Sequence, residues 1–424
     1  MIVTSSLSNG ARLVVETMPS LRSVSVGMWL ATGSRHERPG ESGKAHFMEH
    51  LLFKGTPSRT AEQISLEIDR VGGDLNARTD RETTGYLARV PDGHLDMAVD
   101  LLGDMLTHPA LPPEGIATER QVIAEEIKRY EDTPDELVVD HAIEALWPDS
   151  PAGAPITGTL ADLEGIDRDG LLAYHESRYR GSNTVVSMAG NLDPDEATEL
   201  AERSLADMPG GEPERGAEPI DTARATLRCT TKDLEQVHLV LGWAGCGACS
   251  DSRYSQALVD GMFGATTSSR LFLRIREERG LVYSVWSEPL LLSDTGALLV
   301  CADTSPGNVP EVLRLIYQEA RHLSQGRFSD DELEVSREQF KGSTALALES
   351  TDSRETRNAR AMIFLGQPVP FEEIERRANA VTRHQAEEMG ASLFDQGQPC
   401  VAAIGPIEEK ELRQALDDAW SARG

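Results

Sequence analysis

Several features that would assign this chain to a specialised class are scarce or missing. Its 424 residues include five cysteines, too few and too odd in number for a disulfide framework, so we expect a reducing compartment. No run approaches the ~20 consecutive apolar residues that span a bilayer. Met1 leads directly into alternating, strand-like sequence, without a basic and then apolar leader. These absences predict a cytoplasmic protein with no membrane partner.

The chain also has few positively charged residues relative to acidic ones. The 41 Lys and Arg residues are outnumbered by 70 Asp and Glu, which gives a net charge of -29. Nucleic acid binding needs clustered cations and a positive field, so we expect no nucleic acid partner. The apolar content of 39%, spread along the whole chain, is enough for substantial cores in more than one domain.

The two halves of the sequence repeat one order of elements. A strand-like run at residues 24–31, followed by a polar loop and a helical segment, recurs from residues 237–244 onward. Near the end of each half, a buried-strand pattern at residues 184–190 or 400–405 leads into an acidic helix start. This recurrence indicates an internal duplication.

Composition also predicts where the halves divide. Residues 208–219 are rich in proline, glycine and charge, which is typical of an exposed linker. We predict an N-terminal domain at residues 1–210, a linker at 211–221 and a C-terminal domain at 222–424. Both halves mix period-two strands with long amphipathic helices, which predicts an α+β architecture for each domain.

The most informative segment is residues 43–57, Gly-Lys-Ala-His-Phe-Met-Glu-His-Leu-Leu-Phe-Lys-Gly-Thr-Pro. Its Gly-Thr-Pro end predicts a helix stop, and we expect Ser42 to cap the start. His46, Glu49 and His50 are spaced i, i+3 and i+4, which puts them on one helix face. Two imidazoles one turn apart are suitable zinc ligands, and the carboxylate between them can act on the water that a catalytic zinc keeps.

Two histidines leave a catalytic zinc one protein ligand short. The helix predicted at residues 114–130 can supply it. Its apolar stripe consists of Ile116, Ile123, Ile127 and Tyr130. At ~100° per residue, Glu126 and Glu119 lie near the edge of this stripe, while Glu125 points away. The phasing selects Glu126 as the ligand and lets Glu119 orient His50 or the bound water.

A structural role without a metal is the alternative for these residues. Paired histidines on an amphipathic helix are often core or surface residues without a metal, and a bare HxxEH has many chance matches. A second helix with an inward-edge carboxylate favours the metal.

The residues resemble the pitrilysin-like family M16 of zinc metallopeptidases, in particular its short two-domain branch related to the mitochondrial processing peptidase beta subunit. His-Phe-Met-Glu-His, followed by Leu-Leu-Phe-Lys-Gly-Thr, matches the inverted HxxEH zinc motif. The similarity continues through residues 71–77, 119–126 and 174–179 and covers nearly the whole chain. Glu126 also meets the spacing that the family keeps between the second histidine and its distal glutamate.

The resemblance implies a metalloendopeptidase with one zinc ion per chain, held by His46, His50 and Glu126. It makes Glu49 the general base and Glu119 a supporting residue. The implied fold is two homologous α/β-roll domains, LuxS/metallopeptidase-like, each an antiparallel-rich sheet packed with helices, the second an inactive repeat without the histidines. The implied substrates are peptides or unfolded segments, hydrolysed in the enclosed chamber of a homodimer.

The resemblance further implies residues that bind the substrate. Arg274 and Tyr283 lie in a segment similar to the one that supplies an arginine and a tyrosine, although Leu281 occupies the place of the relatives' tyrosine. A solvated basic helix end is the alternative. Asn76 and Ala77 resemble part of the substrate-binding edge strand, for which an ordinary internal strand is the alternative. A non-catalytic or partner-dependent subunit of a processing-peptidase-like complex is the rival function.

Overall fold

The computed structural model describes residues 1–211, 220 and 226–422. Within these residues the chain forms eleven β-strands and fifteen α-helices. The strands are β1 Ile2–Ser6, β2 Arg12–Thr17, β3 Ser23–Leu30, β4 Asp74–Thr79, β5 Thr84–Pro91, β6 Thr184–Gly190, β7 Leu227–Thr231, β8 Val237–Gly245, β9 Val282–Leu291, β10 Gly296–Thr304 and β11 Cys400–Gly405. The helices are α1 Lys44–Leu51, α2 Ala61–Val71, α3 Leu95–Thr107, α4 Pro113–Glu131, α5 Pro134–Leu146, α6 Leu160–Gly165, α7 Arg168–Arg178, α8 Pro194–Ser204, α9 Arg253–Phe263, α10 Val309–Ser324, α11 Asp330–Ala347, α12 Thr351–Leu365, α13 Phe371–Ala380, α14 Arg383–Phe394 and α15 Glu409–Ser421. None of the helices in these residues is long and apolar enough to cross a membrane.

Two mixed sheets share one topology. Their strand orders are β1-β2-β6-β3-β5-β4 and β7-β11-β8-β10-β9. Each sheet has one parallel pair, β2 with β6 or β7 with β11, and the pairs that continue from it to β4 or β9 are antiparallel. When β1 is set aside, both sheets place their strands in the chain order first, fifth, second, fourth, third. The predicted α+β class and the internal duplication are confirmed.

The described residues pack as two compact units, and neither unit is one continuous stretch of chain. The first consists of described residues within Met1–Lys128, Ala154–Glu218 and Leu346–Val369, and the second of those within Arg129–Gly153, Pro219–Ala345 and Pro370–Gly424. The predicted linker at 211–221 lies outside the described residues, apart from residues 211 and 220. The division at that linker therefore stays a prediction.

Because of two helices, the two units do not coincide with the two halves of the sequence. Helix α5 comes from the first half but packs on β8 and β11, where Leu146 shares a buried cluster with Val240. Helix α12 comes from the second half but packs on β2, β3 and β6, where Met362 shares a buried cluster with Trp29. Helical periodicity shows which face of a helix is apolar, not which sheet covers it, so the pattern could not predict this exchange.

Strand alternation separates the two faces of the first sheet. On β2, Leu13 and Val15 belong to the main core, whereas Val14 belongs to the cluster under α12. Because successive side chains point to opposite faces, α12 covers one face and the main core lies on the other. Helices α1, α3 and α8 contact the strands of this sheet and contribute to that main core.

Candidate metal centre

Helix α1 begins at Lys44, and the N–H groups at its start are bonded by a residue that the sequence pattern did not indicate. Ser42 was expected as the cap, and that prediction is wrong, because the N-cap is Gly43, in the left-handed region with φ +83°. The buried carboxylate of Glu37 accepts the N–H groups of Gly43 at 3.0 Å and Ala45 at 2.7 Å. Burial raises the pKa of Glu37 to about 8, against the lowering effect of these two bonds.

The helix stop and the phasing of α4 agree with the prediction. After Leu51 the chain continues into one turn of 3-10 helix and reaches Gly55 at φ +114°. On α4, Glu119 is buried, Glu126 is half-buried, and Glu125 is exposed. Glu125 pairs only with Lys128 among its described ion-pair partners, at 2.7 Å.

Three groups from α1 and α4 converge at one point. His46 Nε2 lies 3.8 Å from Glu126 Oε2, and His50 Nε2 lies 3.6 Å from the same oxygen. One ligand atom from each of the three residues lies within 4.8 Å of the others. The imidazole ring centroids are 4.7 Å apart. Among the described residues this is the one group of three or more His, Cys, Asp and Glu side chains that could hold a metal ion.

Neighbouring groups act on both histidines. His50 Nδ1 lies 3.0 Å from Glu119 Oε2, and since a carboxylate oxygen accepts, Nδ1 is the donor of this bond and Nε2 is left to face Glu126. Glu119 Oε1 in turn lies 2.5 Å from Lys54 Nζ. Burial, with a smaller contribution from the charge of His50, lowers the pKa of His46 to about 4. His46 is therefore neutral at pH 7, which is the form that binds metal.

Glu49 lies on the same helix face but outside this donor group. Burial raises the pKa of Glu49 and the charge of Glu126 adds to this, while Thr79 on β4 and His50 act in the opposite direction. Its Oε2 is buried and has no hydrogen-bond partner among the described residues. A carboxyl group with an elevated pKa beside the donor atoms can exchange a proton with a molecule held there.

The donor set fits zinc. Two imidazole nitrogens and one carboxylate oxygen are a usual three-ligand set of catalytic zinc, which keeps a fourth position open. The contact between His50 and Glu119 is the carboxylate–histidine pair that commonly orients such a ligand. The partnerless buried oxygen of Glu49 is a further polar atom that the protein leaves for a bound group.

Residues that the motif did not indicate complete the surroundings. Lys54 comes one turn after His50, and that spacing was a signal, whereas Thr79 and Glu37 are brought in by tertiary packing alone. The hydroxyls of Tyr86 and Tyr179 lie 2.8 Å apart in the core. Burial is the largest cause raising the pKa of both, and the charge of Glu49 adds to it.

Asn76 and Ala77 lie on β4, at the edge of the first sheet among the described strands. The Ala77 N–H donates to Asn76 Oδ1 at 2.8 Å. Asn76 is exposed, and Ala77 packs partly buried against the main core. The edge position agrees with the sequence expectation and excludes an internal strand within the described sheet.

Arg274 and Tyr283 lie in the second unit, whereas the metal group lies in the first. Tyr283 is 78% exposed on β9, the strand that corresponds to β4. The pairing of β9 with β10 skips it, because Asp303 pairs with Ser284 and Thr304 with Val282. A bulge of this kind turns a side chain away from the regular alternation.

Arg274 belongs to a π-helical segment, Phe272–Glu277. Its side chain is half-exposed and lies 3.4 Å from Glu278 and 3.8 Å from Glu319. A substrate would have to compete with both carboxylates for this guanidinium.

Comparison with known proteins identifies relatives over the whole chain. The family model "Insulinase (Peptidase family M16)" matches residues 12–160, and "Peptidase M16 inactive domain" matches residues 165–340. The uncharacterized zinc protease YmxG of Bacillus subtilis is 35% identical over 96% of this chain and 98% of its own. An uncharacterized zinc protease of Streptomyces coelicolor is 33% identical over 97% and 91%. The crystal structure of a protease from Helicobacter pylori has the same fold, with a TM-score of 0.88 at 20% identity over 96% of this chain and 99% of that one.

Proposed function

This chain belongs to peptidase family M16, and on that premise we propose that it is a zinc-dependent endopeptidase that hydrolyses peptides or unfolded segments. The observation that carries the proposal is the convergence of His46, His50 and Glu126 beside the half-buried Glu49. The relatives named zinc proteases support zinc as the metal.

The three convergent residues are proposed to hold one zinc ion per chain. Bound zinc would lower the pKa of a water ligand towards ~7 and polarise the scissile carbonyl. His46 and His50 would each present Nε2, and Glu126 would present Oε2. Glu119 would hold the Nδ1 proton of His50 in place, so that Nε2 stays directed at the ion.

Glu49 is proposed as the general base. Its raised pKa makes its carboxylate a better proton acceptor than an exposed glutamate. It would take the proton of the attacking water and then pass that proton to the leaving amine nitrogen. The buried environment that raises its pKa also limits competing contacts with bulk water.

Strand β4 is proposed to bind the substrate main chain by adding it as a further strand. At Asn76 and Ala77, a substrate carbonyl would replace the Asn76 side chain as acceptor of the Ala77 N–H. Such pairing needs an extended peptide whose own amides are unpaired, which favours unfolded segments over folded proteins.

Arg274 and Tyr283 are proposed as substrate contacts from the second unit. The exposed hydroxyl of Tyr283 could donate to the oxyanion of the tetrahedral intermediate, and Arg274 could bind a substrate carbonyl or carboxylate. A homodimer with an enclosed chamber belongs to the same proposal. Light scattering on the purified chain distinguishes a dimer from a monomer.

The test is the substitution Glu49→Gln. We expect it to lower the hydrolysis of an unfolded fluorogenic peptide by about 100-fold or more, because general bases contribute at least that factor. Zinc content should stay at one ion per chain, because Glu49 lies outside the donor set. Metal analysis and peptide turnover, with and without a chelator, measure both quantities.

Glu125→Gln is the matched control, since it removes a carboxylate from the exposed face of α4. Turnover by Glu49→Gln at the wild-type rate would remove Glu49 from the mechanism. A wild-type chain that holds zinc but cleaves no peptide alone would instead support the partner-dependent subunit.

A further inference from the structure

A cavity with charged side chains in its lining lies at the edge of the first sheet, on the face that α12 covers. Its volume is about 680 Å³, and its lining comes from β3, β4, β5 and α12, all within the first unit. Four arginines line it: Arg78, Arg89, Arg357 and Arg360. Three acidic residues, Asp74, Asp352 and Glu355, line it as well, so the arginines exceed the acidic side chains by one.

Described carboxylates neutralise two of these arginines. Arg89 lies 2.8 Å from Asp74 and 3.0 Å from Asp352. Arg360 lies 2.8 Å from Asp80. Both arginines are therefore already paired, and these ion pairs connect β4, β5 and α12.

Arg78 differs from them because it forms no ion pair with a carboxylate among the described residues. Its Nη2 donates to Thr356 Oγ1 at 2.6 Å, and its Cζ lies 4.7 Å from the centroid of the Trp29 ring. The positive charge of Arg78 acts to lower the pKa of the neighbouring Glu355. Burial has the larger effect and raises that pKa to about 8. Glu355 is therefore largely protonated at pH 7, and Arg78 lines the cavity without a carboxylate at ion-pair distance among the described residues.

The register of the sheet places this charge beside the proposed substrate strand. On β4, Asp74, Asn76 and Arg78 are exposed, while Leu75, Ala77 and Thr79 alternate with them and are half-buried. The exposed three line the cavity, whereas Thr79 influences Glu49 near the metal group. A peptide that pairs with β4 would alternate in the same way, so that every second side chain faces the cavity.

We propose that this cavity is the subsite for an acidic side chain of the substrate, with Arg78 as the residue that binds its carboxylate. Asn76, two residues earlier on the same face, supplies an amide that can hydrogen-bond to the same group. The inference rests on the proposed function, because it requires a peptide paired with β4. It makes Arg78 a residue that determines specificity and gives it no part in bond cleavage.

The experiment is a charge scan of an unfolded peptide. Glu, Gln or Lys is placed in turn at each position of an otherwise neutral fluorogenic peptide, and kcat/KM is measured for wild type and variants. We expect Glu to exceed Gln by about tenfold at one position or at positions two apart, since a charged hydrogen bond has that strength. The period of two follows from strand alternation.

Substitutions at Arg78 then assign the preference. Arg78→Gln should abolish it, Arg78→Lys should keep most of it, and Arg78→Glu should shift it towards the Lys peptide. Arg70→Gln, an equal loss of charge on the exposed face of α2, should leave it unchanged. Thermal unfolding of each variant checks that loss of the contact with Trp29 has not disordered the sheet.

Binding separates this inference from the proposed chemistry. The same Glu and Gln peptides, carrying a fluorescent label, are titrated with Glu49→Gln and with the Glu49→Gln/Arg78→Gln double variant, and anisotropy is recorded. Tighter binding of the Glu peptide that disappears in the double variant supports the subsite even if wild type cleaves nothing. Equal binding of the two peptides, or a preference that survives Arg78→Gln, overturns it.

Discussion

Lys54, Glu119 and His50 form a chain of polar contacts beside the metal group. Lys54 Nζ lies 2.5 Å from one oxygen of Glu119, and the other oxygen lies 3.0 Å from His50 Nδ1. The contact with Lys54 holds the Glu119 carboxylate in position, and that carboxylate accepts the Nδ1–H of His50. The imidazole ring is thus oriented with Nε2 as its ligand atom before a metal binds.

Glu119→Gln should weaken zinc binding by about 10-fold to 100-fold, because an amide has no charge with which to orient and polarise the imidazole. Competition titration with a chelator of known affinity measures the change. Glu125→Gln on the same helix is the control and should bind zinc as wild type does. Zinc affinity equal to wild type in Glu119→Gln would show that His50 needs no oriented partner.

Most of the metal group could be predicted at this scale. The spacing of His46 and His50 needs only the helical repeat, and phasing against Ile123 separated Glu126 from Glu125. Glu37 could not be predicted in this way, because the sequence does not determine the path of the loop between Glu37 and the helix that it caps. Thr79 could not be predicted either, because β4 contacts α1 across the intervening helix α2.

At the scale of elements, helix α12 docks on its sheet through a buried acid. Glu355 is fully buried and accepts the Trp29 Nε1–H at 2.6 Å. Gly27 leaves room for this carboxyl group, because a Cβ at that position would lie 2.0 Å from Glu355 Oε1. Burial raises the pKa of Glu355 to about 8, with Asp352 adding to the rise and Trp29, Thr356 and Arg78 opposing it.

This raised pKa predicts a pH-dependent stability. The unfolded chain releases the Glu355 proton near pH 4.5, whereas the folded chain keeps it up to about pH 8. The contribution is therefore fully present below pH 4.5 and is lost as the pH rises through about 8, with a slope of at most about 1.4 kcal/mol per pH unit. Glu355→Gln removes the titration, so its free energy of unfolding should rise relative to wild type between pH 5 and pH 8. Urea unfolding at several pH values measures it.

The exposed Glu349 supplies the control, since Glu349→Gln should follow the wild-type pH profile in parallel. Parallel profiles for Glu355→Gln and wild type would mean that Glu355 titrates in the folded chain as it does in the unfolded one.

Element positions were more predictable than element partners. The strands expected at residues 184–190 and 400–405 match β6 and β11, and the helix expected at 114–130 matches α4 within one residue at each end. Local periodicity determines such bounds. The order in which strands pair, and the start of α1 on Glu37, depend on contacts between distant segments and had no local signal.

At the scale of the whole molecule, the internal duplication includes a reciprocal exchange of helices. Each unit takes one helix, α5 or α12, from the sequence half that supplies most of the other unit. The exchanged helices cover apolar sheet faces: α12 lies over Val14 and Trp29, and α5 lies over Val240. Neither half of the sequence therefore contains all the surface that its own sheet buries.

We therefore expect residues 1–210, expressed alone, to aggregate and to bind no zinc at stoichiometric level. Without α12 the sheet exposes Val14, Trp29 and Val185, which are at most 1% exposed in the full chain, and Glu16 loses the 2.8 Å hydrogen bond from Asn358. Adding a peptide of residues 346–369 should restore zinc binding, measured by metal analysis of the fraction that elutes from size-exclusion chromatography. The same peptide with Met362→Asp is the control and should not restore it, because it would place a charge in the apolar cluster. Residues 1–210 that remain monomeric and bind zinc without the peptide would show that the exchange of α12 is not needed for the fold of the metal centre.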